Sequence, residues 1–164
     1  NIDKRSGRKN IERSKKRNVK IENIDDNNLV EFLELRNKTK EETGLEKKEF
    51  NDLYNWWKLM KPLGLSGFLA KKDNKAIGGL LFSFFDRHII EIAVARSKED
   101  TSEKLYSQDL IKWSIIEWGV ENKMKYYNLA GANPHPTSTK EEGILQYKKK
   151  WGGQRYDYFN LKSK

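Results

Sequence analysis

Three consecutive lysines, Lys148-Lys149-Lys150, follow Tyr147 and precede Trp151-Gly152-Gly153. A cation held at a fixed point can pair with a phosphate or with an oxyanion that develops during a reaction. The plainer use of the same residues is structural, because lysines in the last turn of a helix face the negative end of its dipole. Spacing alone leaves both uses open. A second basic cluster lies at the other end of the chain, where Lys4, Arg5, Arg8, Lys9, Arg13, Lys15, Lys16, Arg17 and Lys20 crowd a segment whose apolar residues are Ile11 and Val19. Such a segment is either a solvated helix leading in from a preceding region or a contact for a polyanion.

Composition excludes several chemistries. There is no Cys among the 164 residues, hence no disulfide framework and no thiolate nucleophile. His88 and His135 are too few for a histidine-based metal site, and neither HExxH nor CxxC occurs. His135 lies in the loop-like ANPHPTST and reads as a loop residue. No apolar run approaches the ~18 residues of a membrane span, and no secretory signal is visible. The net charge of +9 points to RNA, phosphorylated ligands or an anionic membrane face, or else to a lysine-rich solvated surface. The length fits one domain, and five Trp, seven Tyr and seven Phe suffice for a core. Because the chain begins at Asn1 rather than Met, we expect it to be part of a longer protein, with residues 1–18 as a basic lead-in and 19–164 as the domain proper.

The elements that must position these residues follow from periodicity. Residues 19–24 (VKIENI) alternate as a short strand. Asp25 or Asp26 caps a helix with Leu29, Phe32 and Leu33 on one face, expected to end near Gly44. A second helix from Lys47 carries Phe50, Leu53, Tyr54 and Trp57 as its apolar stripe, with Trp56 packing beside it, and stops at Pro62 and Gly64. Residues 67–72, 76–85 and 88–96 are strands separated by turns at Asp73-Asn74 and Asp86-Arg87, an antiparallel meander whose middle strand is apolar enough to be covered on both faces. A polar stretch, SKEDTSEK, follows. From Leu105 to Asn122 two stripes (Ile111, Ile115, Trp118 and Trp113, Ile116, Val120) make a broad buried helical face. Residues 125–131 form a strand running into a Gly turn. Thr139 with Glu142 forms a capping box for a helix through Lys150, and residues 155–161 alternate as a last strand. Gly131, Gly152 and Gly153 read as turn formers, and Asp109 and Asp157 as structural or exposed.

Three blocks of this sequence resemble the FemABX family. Residues 7–19 (GRKNIERSKKRNV) are similar to the family's R-x-x-I-R-K-A-x-K-x-G-V. Residues 113–133 (WSIIEWGVENKMKYYNLAGAN) resemble its helix, turn and tyrosine-rich strand ending in D-L-G-G. Residues 143–153 (GILQYKKKWGG) are similar to its G-I-x-x-F-K-x-x-F-G-G. Asn128 stands in place of the family's Asp and Ala130 in place of its first Gly, while Tyr147 and Trp151 replace Phe. The element order also resembles that of the GNAT acyltransferase fold, an α+β (mixed α/β) architecture with a central mixed sheet flanked by helices.

The resemblance implies an aminoacyltransferase or peptidyltransferase domain, the second of two GNAT-like halves, which moves an amino acid from aminoacyl-tRNA to an amine of a cell-wall precursor peptide. It implies Lys148 as the catalytic cation. It implies Arg8, Tyr147 and Asn128 as substrate contacts, with Arg8 on a phosphate or on the substrate; the Tyr147 ring can stack on a terminal base. No cofactor is expected, and the expected setting is cytoplasmic with peripheral membrane association. Two alternatives remain: a CoA-dependent N-acyltransferase, and a non-catalytic half that only holds tRNA. A GNAT enzyme that uses acetyl-CoA cradles pyrophosphate on the backbone of a Gly-rich turn before its central helix. The corresponding residues here, 95–110, contain no Gly, which disfavours the CoA alternative.

Overall fold

The computed structural model describes residues 2–42 and 49–157 and divides the chain into two compact units, Lys9–Ala130 and Asn1–Arg8 together with Gly131–Lys164.

The first unit holds a five-stranded sheet of β1 (Lys20–Asn23), β2 (Leu65–Lys72), β3 (Lys75–Phe85), β4 (His88–Arg96) and β5 (Tyr126–Asn128), in that spatial order. The first three pairings are antiparallel; β4 and β5 run parallel, so the sheet is mixed as expected. The two tight turns of the meander place Asp73, Asn74, Asp86 and Arg87 at positive φ, the left-handed pair a two-residue hairpin turn requires. The parallel pairing spans only His88–Ile90 opposite Tyr126–Asn128. A register shift at Leu81/Phe82 bends β4 just beyond it.

Helices cover both faces of β3. On one face α2 (Leu29–Glu42) and α3 (Phe50–Met60) bury Leu29, Phe32, Leu35 and Trp57 against Leu69, Leu81 and Ala95, with Trp56 packed alongside. On the other, α5 (Ser107–Glu121) buries Ile111 and Ile115, and Trp118 sets its ring edge-on to Phe82 and Phe84. Adjacent glycines permit this double cover. A Cβ on Gly78 would lie 2.3 Å from Ser107 Oγ, and one on Gly79 would lie 2.6 Å from Phe32 Cδ2. Helix α1 (Lys9–Lys16) is joined to α5 by Asn10 Nδ2, which donates to Asp109 Oδ2 at 3.0 Å.

Several expectations shift. Asp25 shapes the turn that leaves β1 by accepting from the N–H groups of Asn27 and Asn28, at 2.8 and 3.1 Å. Asp26 instead accepts from Trp57 Nε1 at 2.8 Å and Lys61 Nζ at 3.0 Å, tying α3 to the start of α2. The expected ends at Gly44 and Lys47 lie outside the described residues. The polar stretch after β4 contains a short helix, α4 (Lys98–Ser102), capped by Ser97, whose Oγ accepts from Asp100 N–H at 3.1 Å. In α5 the second apolar stripe is incomplete: Val120 is exposed, while Lys112 is buried.

In the second unit, α6 (Thr139–Lys149) begins one residue earlier than the expected box. Ser138 is extended and caps Glu141 N–H at 3.3 Å, and the Glu141 carboxylate accepts from Thr137 N–H at 2.7 Å. The last expected strand is not formed over Arg155–Asp157, where the two end residues pair as ions at 2.8 Å; residues 158–164 lie outside the described region.

Candidate active site

The unit that contains α6 distinguishes the three lysines. Helix α6 ends with Trp151 N–H and Gly152 N–H bonded to the carbonyls of Lys148 and Lys149, at 3.1 and 3.0 Å, and Gly152 turns the chain at φ 70. Lys149 is exposed. Lys150 places its ammonium 3.9 Å from the centre of the Tyr147 ring, so that face of the ring carries a cation. Lys148 is half-buried, and its Nζ donates to the Gly131 carbonyl at 2.7 Å. The bond fixes the ammonium at a defined point. A bond to a neutral carbonyl orients the ammonium without supplying a counter-charge.

Residues Lys4–Arg8 of the same unit form a π-helical turn. Asp3 Oδ1 accepts from Ser6 N–H at 2.6 Å and Ser6 Oγ at 2.8 Å, and these bonds hold its carboxyl below the usual carboxylate range. Asp3 N–H donates to the Lys150 carbonyl at 2.8 Å, which joins the start of the chain to the end of α6. Gly7 is buried, and a Cβ there would lie 2.5 Å from Ile2. Arg8 is exposed. A shallow hollow of about 470 Å³ lies among Asp3, Ser6, Gln146, Lys149 and Lys150. Arg8, Tyr147 and Lys148 therefore belong to one unit.

Asn128 belongs to the other unit, at the end of β5. Its Oδ1 accepts from Ala130 N–H at 2.8 Å, an Asx turn that Asp or Asn forms equally well. Ala130 follows with φ 60, a left-handed conformation that suits glycine. Exchanging Asp for Asn at this turn thus preserves its geometry, whereas Ala at the second position carries strain of about 1–2 kcal/mol.

Two features were not legible as site chemistry in the sequence. The first is a buried cluster on β4, α5 and β5. Lys112 Nζ pairs with Glu91 Oε1, and Tyr127 Oη donates to the same oxygen at 2.7 Å. The side chains of Lys112 and Glu91 are 4% and 7% exposed. The second is the turn between β4 and α5. The Asp100 carboxyl, 3% exposed, accepts from Ser107 N–H at 2.8 Å, at the N-terminus of α5. Burial raises its pKa above the usual carboxylate range, opposed by the bonds from Ser107 and by Arg96, whose Nε lies 3.7 Å away. Three further amides of the turn are committed: Glu103 to Glu99, Lys104 to Thr101 and Leu105 to Asp100. Lys104 and Tyr106 take positive φ without glycine, and the Arg17 guanidinium donates to the Glu103 and Lys104 carbonyls. Among the described residues no three His, Asp or Glu side chains are grouped to hold a metal ion. No helix there is long and apolar enough to cross a membrane.

No family profile and no curated protein matches the sequence. Solved structures do. A crystal structure of FemX aligns at a TM-score of 0.77 with 15% identity, covering 91% of this chain and 54% of that one. The chain thus spans about half the length of that structure. An aminoglycoside acetyltransferase from an uncultured soil metagenomic sample, in complex with sisomicin, aligns at 0.64 with 15% identity, covering 88% of this chain and 97% of its own. A ribosomal-protein-alanine N-acetyltransferase from Brucella melitensis biovar Abortus 2308 aligns at 0.62 with 14% identity, over 89% of this chain and 99% of its own. The chain has the GNAT acyltransferase fold, in the form also found in FemX.

Proposed function

We propose that this chain is the C-terminal half of a FemABX-type aminoacyltransferase, which moves an amino acid from aminoacyl-tRNA to an amine of a cell-wall precursor peptide. The observation that carries the reading is the bond from Lys148 to Gly131, which unites the second and third of the FemABX-like sequence blocks. The likeness to FemX over 91% of the chain supports it.

In this reading the amine attacks the aminoacyl ester carbonyl, an oxyanion forms, and the tRNA 3′-oxygen leaves. Such a transfer needs positioning and charge stabilisation rather than a covalent nucleophile. Lys148 supplies a fixed positive charge for the oxyanion or for a phosphate near the tRNA end. Arg8 holds a second phosphate, and Tyr147 offers the ring face away from Lys150 to a base. Asn128 shapes the turn that leads to Gly131. The basic N-terminal segment contributes affinity for tRNA, and the enzyme works in the cytoplasm against the membrane face that carries its acceptor.

The test is single-turnover transfer by the full-length protein, with charged tRNA or acetyl-CoA as donor and a precursor peptide as acceptor. Transfer from tRNA alone is expected. Transfer from acetyl-CoA alone would replace this reading with a CoA-dependent one. Tight tRNA binding without transfer would leave the chain as a tRNA-holding half.

A further inference from the structure

A phosphate at the N-terminus of a helix needs unspent backbone N–H groups and a positive local field. At the N-terminus of α5 part of this provision is already spent. Ser107 N–H is taken by the Asp100 carboxyl at 2.8 Å, and Asp100 N–H by Ser97 Oγ at 3.1 Å. The amides of Glu103, Lys104 and Leu105 bond to carbonyls inside the same turn. Carboxylates also gather here. Asp100 in the turn and Asp109 in the first turn of α5 are both buried, 3% exposed each, and Glu99 adds a third carboxylate, paired with Lys75. Arg96 Nε lies 3.7 Å from the Asp100 carboxyl. The Arg17 guanidinium is directed at the Glu103 and Lys104 carbonyls.

We propose that Asp100 is a specificity-determining residue: its carboxyl group fills the N-terminus of α5 as a built-in anion and excludes acyl donors that are anchored there through a pyrophosphate, CoA thioesters among them. The inference rests on the donor reading above and deepens it. The absence of glycine in residues 95–110 is then one part of the exclusion, and an occupied helix terminus is the other. The bond from Ser107 N–H to Asp100 fixes the start of α5 before any donor arrives. The donor must be held through some other group.

The experiment compares the protein with its Asp100→Ala and Asp100→Asn variants. CoA binding is followed by calorimetry, and thermal melting is measured in inorganic pyrophosphate against chloride at equal ionic strength. The unaltered protein is expected to bind CoA weakly or not at all and to melt alike in both salts. Asp100→Ala frees the Ser107 N–H and removes the charge. It should bind CoA at least about tenfold more tightly than the unaltered protein and melt higher in pyrophosphate. Asp100→Asn removes only the charge and should show a smaller gain. If Asp100→Ala does not fold, as judged by circular dichroism, Asp100→Asn decides. Folded variants that bind CoA and pyrophosphate no better than the unaltered protein overturn the inference, and transfer from charged tRNA would still stand in that case. Micromolar CoA binding by the unaltered protein overturns both the inference and the donor reading.

Discussion

Lys148 and Gly131 are seventeen residues apart, and the side-chain ammonium of one is bonded to the backbone carbonyl of the other at 2.7 Å. The adjacent Lys149 is exposed. It lies about 100° round the helix. The pair therefore provides its own control.

Lys148→Ala should lower single-turnover transfer on the order of a hundredfold, the loss expected when one charge-stabilising donor is removed from a reacting centre. Lys149→Ala should stay close to the unaltered rate. Equal small effects would return Lys148 to the role of a helix-end lysine.

The basic segment at the start of the chain cannot simply be cut away. Ile11 and Ser14 are buried, and Asn10 holds Asp109. The informative variant neutralises the exposed charges by changing Lys9, Lys15 and Lys16 to Gln. The slope of log K against log salt for tRNA binding should flatten by about 0.7–0.9 for each phosphate that these lysines no longer neutralise. An unchanged slope would remove this face from the interface.

The Glu91–Lys112 pair is buried deeply enough for either partner alone to be a liability. Glu91→Gln should cost about 3–5 kcal/mol in denaturant unfolding, because Lys112 is left without its counter-charge. Glu91→Leu combined with Lys112→Met should cost less than the single change. A mild single variant would mean that Lys112 finds water or another partner.

Asp100 gives a pH signature. Its folded pKa lies above the ordinary value of 3.8 because burial dominates. A carboxyl of this kind contributes most stability when protonated in both states, below about 3.8, and that contribution is lost as pH rises through the folded pKa. The stability of Asp100→Asn relative to the unaltered protein should therefore improve as pH is raised from acid toward neutral. Melting curves of both proteins across that range provide the check, and a constant or opposite difference would contradict the assignment of burial as the cause.

The sheet was legible because its signals are local. Asp73-Asn74 and Asp86-Arg87 separate apolar runs, and the run in β3 is long enough to require cover on two sides. Helix α4 was not legible, since five residues are too few to show a period and its hold comes from Ser97 and from the bond between Asp100 and Ser107. The burial of Lys112 was not legible either, because a lysine in a helical pattern ordinarily faces solvent. Its partner lies 21 residues earlier, on a strand. Ser138 and Thr139 are equally good caps by type, and only the extended backbone of Ser138 separates them. At the candidate site, resemblance alone singled out Lys148. Its tether to a backbone carbonyl carries no side-chain signature, so nothing in the residue types could announce it.

The paired glycines of β3 also set a dimension. With Ser107 against Gly78 on one side and Phe32 against Gly79 on the other, the layers above and below the sheet are separated at that point by little more than one peptide's thickness. Side chains elsewhere can yield by changing rotamer, but a backbone cannot, so this step acts as a rigid gauge for the spacing of α2 and α5. A methyl group added on either side would push one helix outward while the other stayed in place.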